Sequence, residues 1–152
     1  MKMSRAVLAV GLVLGLSGAA WAGTPAAGLG QAWPNTTDLS RSPHYHVYSF
    51  TQGGVRYIQV NALDGTVLGA VGTVGGEFIV LPMGNAARVA TPQQPAAGSD
   101  AATPAAAPTP VYRDSSTTIT ATPMSDGSTQ LQATPAVTTD VCDAVTCSTH
   151  GA

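Results

Sequence analysis

Between residues 44 and 81 the chain alternates large apolar or aromatic side chains with polar ones at a period of two. That is the spacing of a pleated strand and not of a helix. Two β-branched and aromatic runs, 44–50 and 55–61, are separated by Thr51-Gln52-Gly53-Gly54, a glycine-containing hairpin loop. Ala62-Leu63-Asp64-Gly65 supplies the next turn, where Asp-Gly accepts left-handed backbone angles. A third strand over 66–74 leads through Gly75-Gly76 into a fourth over 77–81, which Pro82 ends. Turns this short impose antiparallel neighbours. The fold class is therefore expected to be mainly β: a small antiparallel four-stranded meander in a domain spanning 44–89.

Alternation assigns Val47, Ile58, Val60, Ile79 and Leu81 to one face of this sheet, and Tyr48, Phe50, Tyr57, Phe78 and Val80 to the other. Both faces are apolar, which implies burial on two sides. Gly69 and Gly72, inside the third strand, predict a bulge or the close approach of another part of the chain. About ten large side chains are few for a unit of this size to bury alone. The sheet is accordingly expected to be completed by a second copy, by the segment around Trp33, by the C-terminal region or by a partner.

The flanking regions are simpler in composition. Residues 23–43 are rich in Gly, Pro and Thr and form an extended lead-in, in which Pro34 biases Trp33 towards an extended backbone suited to lying across a sheet. Residues 90–110 form a Pro/Ala-rich linker, where frequent proline forbids a helix. Residues 111–152 are expected to be a weakly structured, mostly irregular tail. Within it, 117–121 and 129–133 flank Met124-Ser125-Asp126-Gly127 as a possible hairpin. Only Ile119 and Leu131 stand out there as anchors, so hairpin and disorder both remain open.

The first 22 residues decide the compartment. Lys2 and Arg5 precede an apolar run over 6–16, and Ala20-Trp21-Ala22 places small residues at the −3 and −1 positions of a signal-peptidase site. The run is too short to span a bilayer as a helix, and no cysteine follows the cut to carry a lipid anchor. A cleaved signal peptide over 1–22, a chain starting at Gly23 and a periplasmic or secreted location are expected, with no integral membrane segment after cleavage. Beyond residue 22 the chain carries four Arg, no Lys and eight acidic residues, a net charge of −4. Nucleic acid and anionic membrane surfaces need clustered cations that this composition lacks. Asn35-Thr36-Thr37 matches an N-glycosylation acceptor, a modification uncommon in bacteria.

Candidate chemistry is sparse. His44 and His46, two apart at the start of a strand, project from one face and are weak candidates for a transition-metal pair, with His150 the only other histidine. Cys142 and Cys147, a close pair in an oxidising compartment, read first as a local disulfide. With His150 they alternatively supply two thiolates and an imidazole, a donor set that favours copper(I) or zinc. The spacing is not Cys-x-x-Cys, which argues against a redox enzyme. Glu77 is the only glutamate, the acidic residues are scattered, and no Gly-x-Ser-x-Gly elbow is present. The glycine pairs lie between strands and not before helices, so they are turns and not phosphate cradles. No enzymatic activity, catalytic residue or cofactor is expected.

The stretch 55–68, Val55-Arg56-Tyr57-Ile58-Gln59-Val60-Asn61-Ala62-Leu63-Asp64-Gly65-Thr66-Val67-Leu68, resembles the hairpin of PepSY-type exported domains, in which a strand ends in an acidic-Gly turn before a second strand. The amphipathic helix that precedes it in that family is missing, so the family's protease-regulating role is not implied. The layout over 28–38 followed by the hairpins of 44–68 resembles short exported proteins of Gram-negative bacteria with no assigned function, a likeness that implies export. The sequence thus points to a non-enzymatic periplasmic or secreted interaction module, with an unknown protein partner or self-association. Its alternative is a periplasmic metal-binding protein using His44/His46 or Cys142/Cys147/His150.

Overall fold

The computed structural model describes residues 28–97 and 102–137. The expected meander is present: β1 (Tyr45–Gln52), β2 (Val55–Ala62), β3 (Val67–Val74) and β4 (Glu77–Val80) form an antiparallel sheet in chain order. Both Gly-Gly pairs make the two-residue connections, with φ of +59° and +80° at Gly53 and Gly54 and +60° and +86° at Gly75 and Gly76. Positive φ at both central positions matches the twist of the flanking strands, and glycine takes it without strain. A bulge between Val60 and Asn61 sets Val60 opposite Gly69 but Asn61 opposite Val67, as the third-strand glycines anticipate.

The second half departs from expectation. After a short 3-10 turn, η1 (Ala86–Arg88), come β5 (Val89–Ala90), β6 (Thr109–Arg113), β7 (Thr117–Pro123) and β8 (Thr129–Pro135). These build a second four-stranded sheet in the order β5-β8-β7-β6, antiparallel except for the β5–β8 pair. The open choice at 117–133 resolves as a hairpin. The irregular tail over 111–137 and the linker boundaries at 90 and 110 are corrected, because those boundaries fall inside or beside β5 and β6. Even residues 103–105 are pinned, with Ala105 N–H donating to Pro123 O and Ser125 N–H to Thr103 O, both at 2.8 Å. Pro110 is tolerated because β6 is an edge strand and bulged at that point.

The two sheets face each other across one core. Val47, Ile58, Val60, Val71 and Phe78 from the first meet Val89, Val111, Ile119, Ala121, Leu131 and Ala133 from the second. The space between them leaves no volume for a water molecule. Gly69 marks the closest approach: a Cβ there would lie 2.6 Å from Val89 Cγ2 and 3.2 Å from Leu131 Cδ1. The Thr/Ala-rich strands pack because their inward positions alternate small and large residues that fill a thin gap. Of the expected means of completing the meander, the C-terminal region is the one that covers this face.

Face assignment along β4 is reversed relative to the sequence reading. The two-residue turn sets Val74 opposite Glu77 and Thr73 opposite Phe78, and Val71 lies opposite Val80. Phe78 therefore points into the core and is 6% exposed, whereas Ile79 points outward and is 64% exposed. Chain segments also close both flanks of the sandwich. Leu39 N–H donates to Val47 O and Arg41 N–H to Val111 O, each at 2.8 Å, which ties β1 to β6. On the other flank Leu81 N–H reaches Ala70 O and Asn85 N–H reaches Leu68 O before the chain enters β5.

Candidate functional site

The outer face of the first sheet has two unlike halves. Over one half lies the lead-in, held by two side chains that are fully buried, Gln59 and Asn61. Gly30 N–H donates to Gln59 Oε1 at 2.7 Å, Gln59 Nε2 to Gln31 O at 2.8 Å, and Asn61 Nδ2 to Ala32 O at 2.8 Å. Buried carboxamides require such partners, and an irregular backbone supplies the free carbonyls. Trp33 follows, its indole resting over Gly65 and packing edge-on against His46 at a centroid distance of 5.3 Å. The lead-in thus lies across a sheet as the Trp33-Pro34 pair suggests, although it also contains a turn at Gly28, whose carbonyl accepts from Gln31 N–H.

The other half, where β2, β3 and β4 reach the Gly75-Gly76 turn, is uncovered by any described residue. Val55, Tyr57, Val74, Ile79 and Leu81 surround a hollow of about 360 Å³ floored by Gly72. Ile79 is 64% and Val74 55% exposed. The outer face of an antiparallel sheet ordinarily carries polar side chains where it meets water. Glu77 is the one charged group on this rim.

The candidate metal residues are dispersed. His44 precedes β1, so strand alternation does not hold it beside His46. Nδ1 of His46 shares a hydrogen bond of 2.7 Å with Asp38 Oδ2. Among the described residues no group of three or more His, Cys, Asp or Glu side chains converges. Cys142, Cys147 and His150 lie outside the described residues, as does the signal segment.

The carboxylates have structural roles that the spacing left unseen. Asp38, Asp64, Asp114 and Asp126 each accept a hydrogen bond from the backbone N–H two residues on, at Ser40, Thr66, Ser116 and Ser128. The signal was present in the sequence as Asp-x-Ser/Thr, repeated at every one of these turns. Three of the four also reach across the fold. Asp38 accepts from Val47 N–H at 2.9 Å besides its contact with His46. Asp114, in the β6–β7 turn, pairs with Arg56 of β2 and accepts from Tyr112 Oη at 2.9 Å, joining the two sheets. Asp126, in the β7–β8 turn, pairs with the buried guanidinium of Arg88.

These surroundings set the titration of the groups. Burial raises the Asp114 carboxyl, but donation from Ser116 N–H, the Tyr112 hydroxyl and Thr117 N–H outweighs it and leaves the group below the usual range. Asp38 behaves alike, with burial opposed by donors at Val47, His46 and Ser40. Tyr112 is raised, first by burial and then by its bond to Asp114. All four carboxylates are committed to turns and cross-links, while the hollow beside Ile79 contains apolar walls and a single acid. No known protein family matches this chain, and no curated protein or solved structure is significantly similar to it.

Proposed function

We propose that this chain is an exported, non-enzymatic interaction module that presents the β2–β3–β4 corner of its first sheet to a protein partner. One observation carries the reading: Ile79 and Val74 stand 64% and 55% exposed on the rim of an apolar hollow, on a face whose other half is covered. Contiguous apolar surface of this kind favours association, because its removal from water supplies most of the driving force for two proteins to bind. The leader over 1–22 supports delivery to the periplasm or beyond. The low charge of the chain supports recognition by shape and apolar contact in preference to electrostatic steering.

The test is capture from the native envelope fraction by tagged protein, run beside a Val74→Lys/Ile79→Lys variant. The wild type is expected to retain a partner that the variant loses, with both giving the same β-sheet circular dichroism. Equal retention by the two proteins refutes the proposal. Export is checked by sequencing the N-terminus of protein recovered from the periplasm, which should begin at Gly23.

A further inference from the structure

The same corner exposes a strand edge as well as a face, and the edge has a symmetry of its own. Leu81 N–H donates to Ala70 O, continuing the β3–β4 register in which Ile79 lies opposite Gly72 and Val80 opposite Val71. Odd-numbered residues of β4 therefore direct their backbone groups at β3. The N–H and C=O of Phe78 and Val80 point away from the sheet. No described residue pairs with them.

We infer that β4 pairs antiparallel with β4 of a second copy of this chain, about a two-fold axis through Ile79. This inference rests on the interaction-module reading and names its partner. In that register Phe78 lies opposite Val80 of the other copy and each pair exchanges two hydrogen bonds, four in all. The two Ile79 side chains then meet directly on the outer face, in the non-hydrogen-bonded position where opposed side chains come closest. The most exposed apolar side chain of β4 is buried by its own twin.

Three further observations favour a second copy over another strand. Glu77, the one charge on the rim, faces Leu81 of the other copy, so the two carboxylates sit four residues apart along the strand, about 14 Å. That separation exceeds a Debye length of about 8 Å at physiological ionic strength, and like charges do not oppose pairing. The open edge is also short, bounded by Gly75-Gly76 at one end and Pro82 at the other. Only one antiparallel register fills it. Finally, the opposite edge of the sheet, β1, is engaged at Val47 by Asp38 and Leu39. Pairing of β4 with β1 of another copy, which would propagate into a filament, is blocked there, whereas β4 with β4 closes at two.

Sedimentation of the exported chain across concentration tests this. An interface at the small end of the range is expected to give a dissociation constant on the order of 10–100 µM. Ile79→Lys should raise it by at least about tenfold by setting two ammonium groups face to face. Unchanged circular dichroism and Trp33 fluorescence would show that the variant is folded. In a Cys142→Ser/Cys147→Ser background, Ile79→Cys should oxidise to a covalent dimer, because opposed non-hydrogen-bonded positions bring Cβ atoms within reach of a disulfide. Leu63→Cys, also exposed but at the β2–β3 turn, should not. A wild type that stays monomeric to about 1 mM (roughly ten times the upper end of the expected range) overturns the inference, as does a dimer indifferent to Ile79→Lys. If envelope capture then still depends on Val74 and Ile79, the module reading stands with a different partner. If capture is absent too, both fall.

Discussion

Leu131→Ala distinguishes a single sandwich from a meander with an independent tail. Leu131 is 3% exposed in β8, and its Cδ1 reaches across the core to Gly69 of β3. Truncation leaves a space walled by Gly69 and by packed core side chains such as Val89, which can fill it only in part. The cost should fall in the middle of the Leu→Ala range, about 3–4 kcal/mol. A domain of this size has a total stability of about 5–15 kcal/mol. With a urea dependence of about 1–1.5 kcal/mol per molar, the midpoint should drop by about 2–4 M. The assay uses Trp33, the one tryptophan after residue 22, which sits on the first sheet against Gly65 and His46. Its fluorescence reports on the sheet that does not carry the mutation. If the core is shared, the Trp33 transition and the far-ultraviolet dichroism transition shift together and coincide. A Trp33 midpoint that stays in place while the dichroism curve splits would refute the shared core.

Other outcomes follow from the same contacts. Gly69→Ala places a methyl 2.6 Å from Val89 Cγ2 and should cost about 1–3 kcal/mol by overpacking; Val89→Ala in the same chain should recover part of it, as a thermal-melt double-mutant cycle would show. Asn61→Leu leaves the carbonyls of Ala32 and Gly65 without their side-chain donor and should cost about 1–3 kcal/mol. It should also expose the lead-in to limited proteolysis ahead of global unfolding. Asp38 and Asp114 titrate below their unfolded value of about 3.9. Their stabilisation is therefore present above that pH and lost as pH falls through the folded values. Asp114→Asn should flatten the acid limb of the stability curve, measured by urea midpoints between pH 6 and 2. Thiol titration without reductant should find no free thiol if Cys142 and Cys147 are joined.

Where apolar alternation is strong and turns are short, local sequence was sufficient. The four strands of 45–80 and their antiparallel order were legible because a two-residue glycine turn admits few alternatives and a period of two admits no helix. The metal candidates were legible as residue types but not as a site. His46 is bonded to Asp38 eight residues upstream, a pairing that depends on how the lead-in folds back. The Asp-x-Ser/Thr turns were written in the sequence and would have accounted for the scattered carboxylates.

Which side of β4 faces inward was decided by one register, since slipping a strand by a single residue exchanges its faces. Alternation grouped Ile79 with Val47, Ile58 and Val60 and put Phe78 on the other face; the turn that pairs Val74 with Glu77 exchanged the two. The second sheet was beyond local reading for a related reason. Thr- and Ala-rich strands have too little apolar surface to collapse by themselves, and their burial exists only because the first sheet offers a complementary face. Strand identity was thus determined by neighbours along the chain, whereas burial, and with it the exposed corner at Ile79, was determined by partners that only the folded chain brings together.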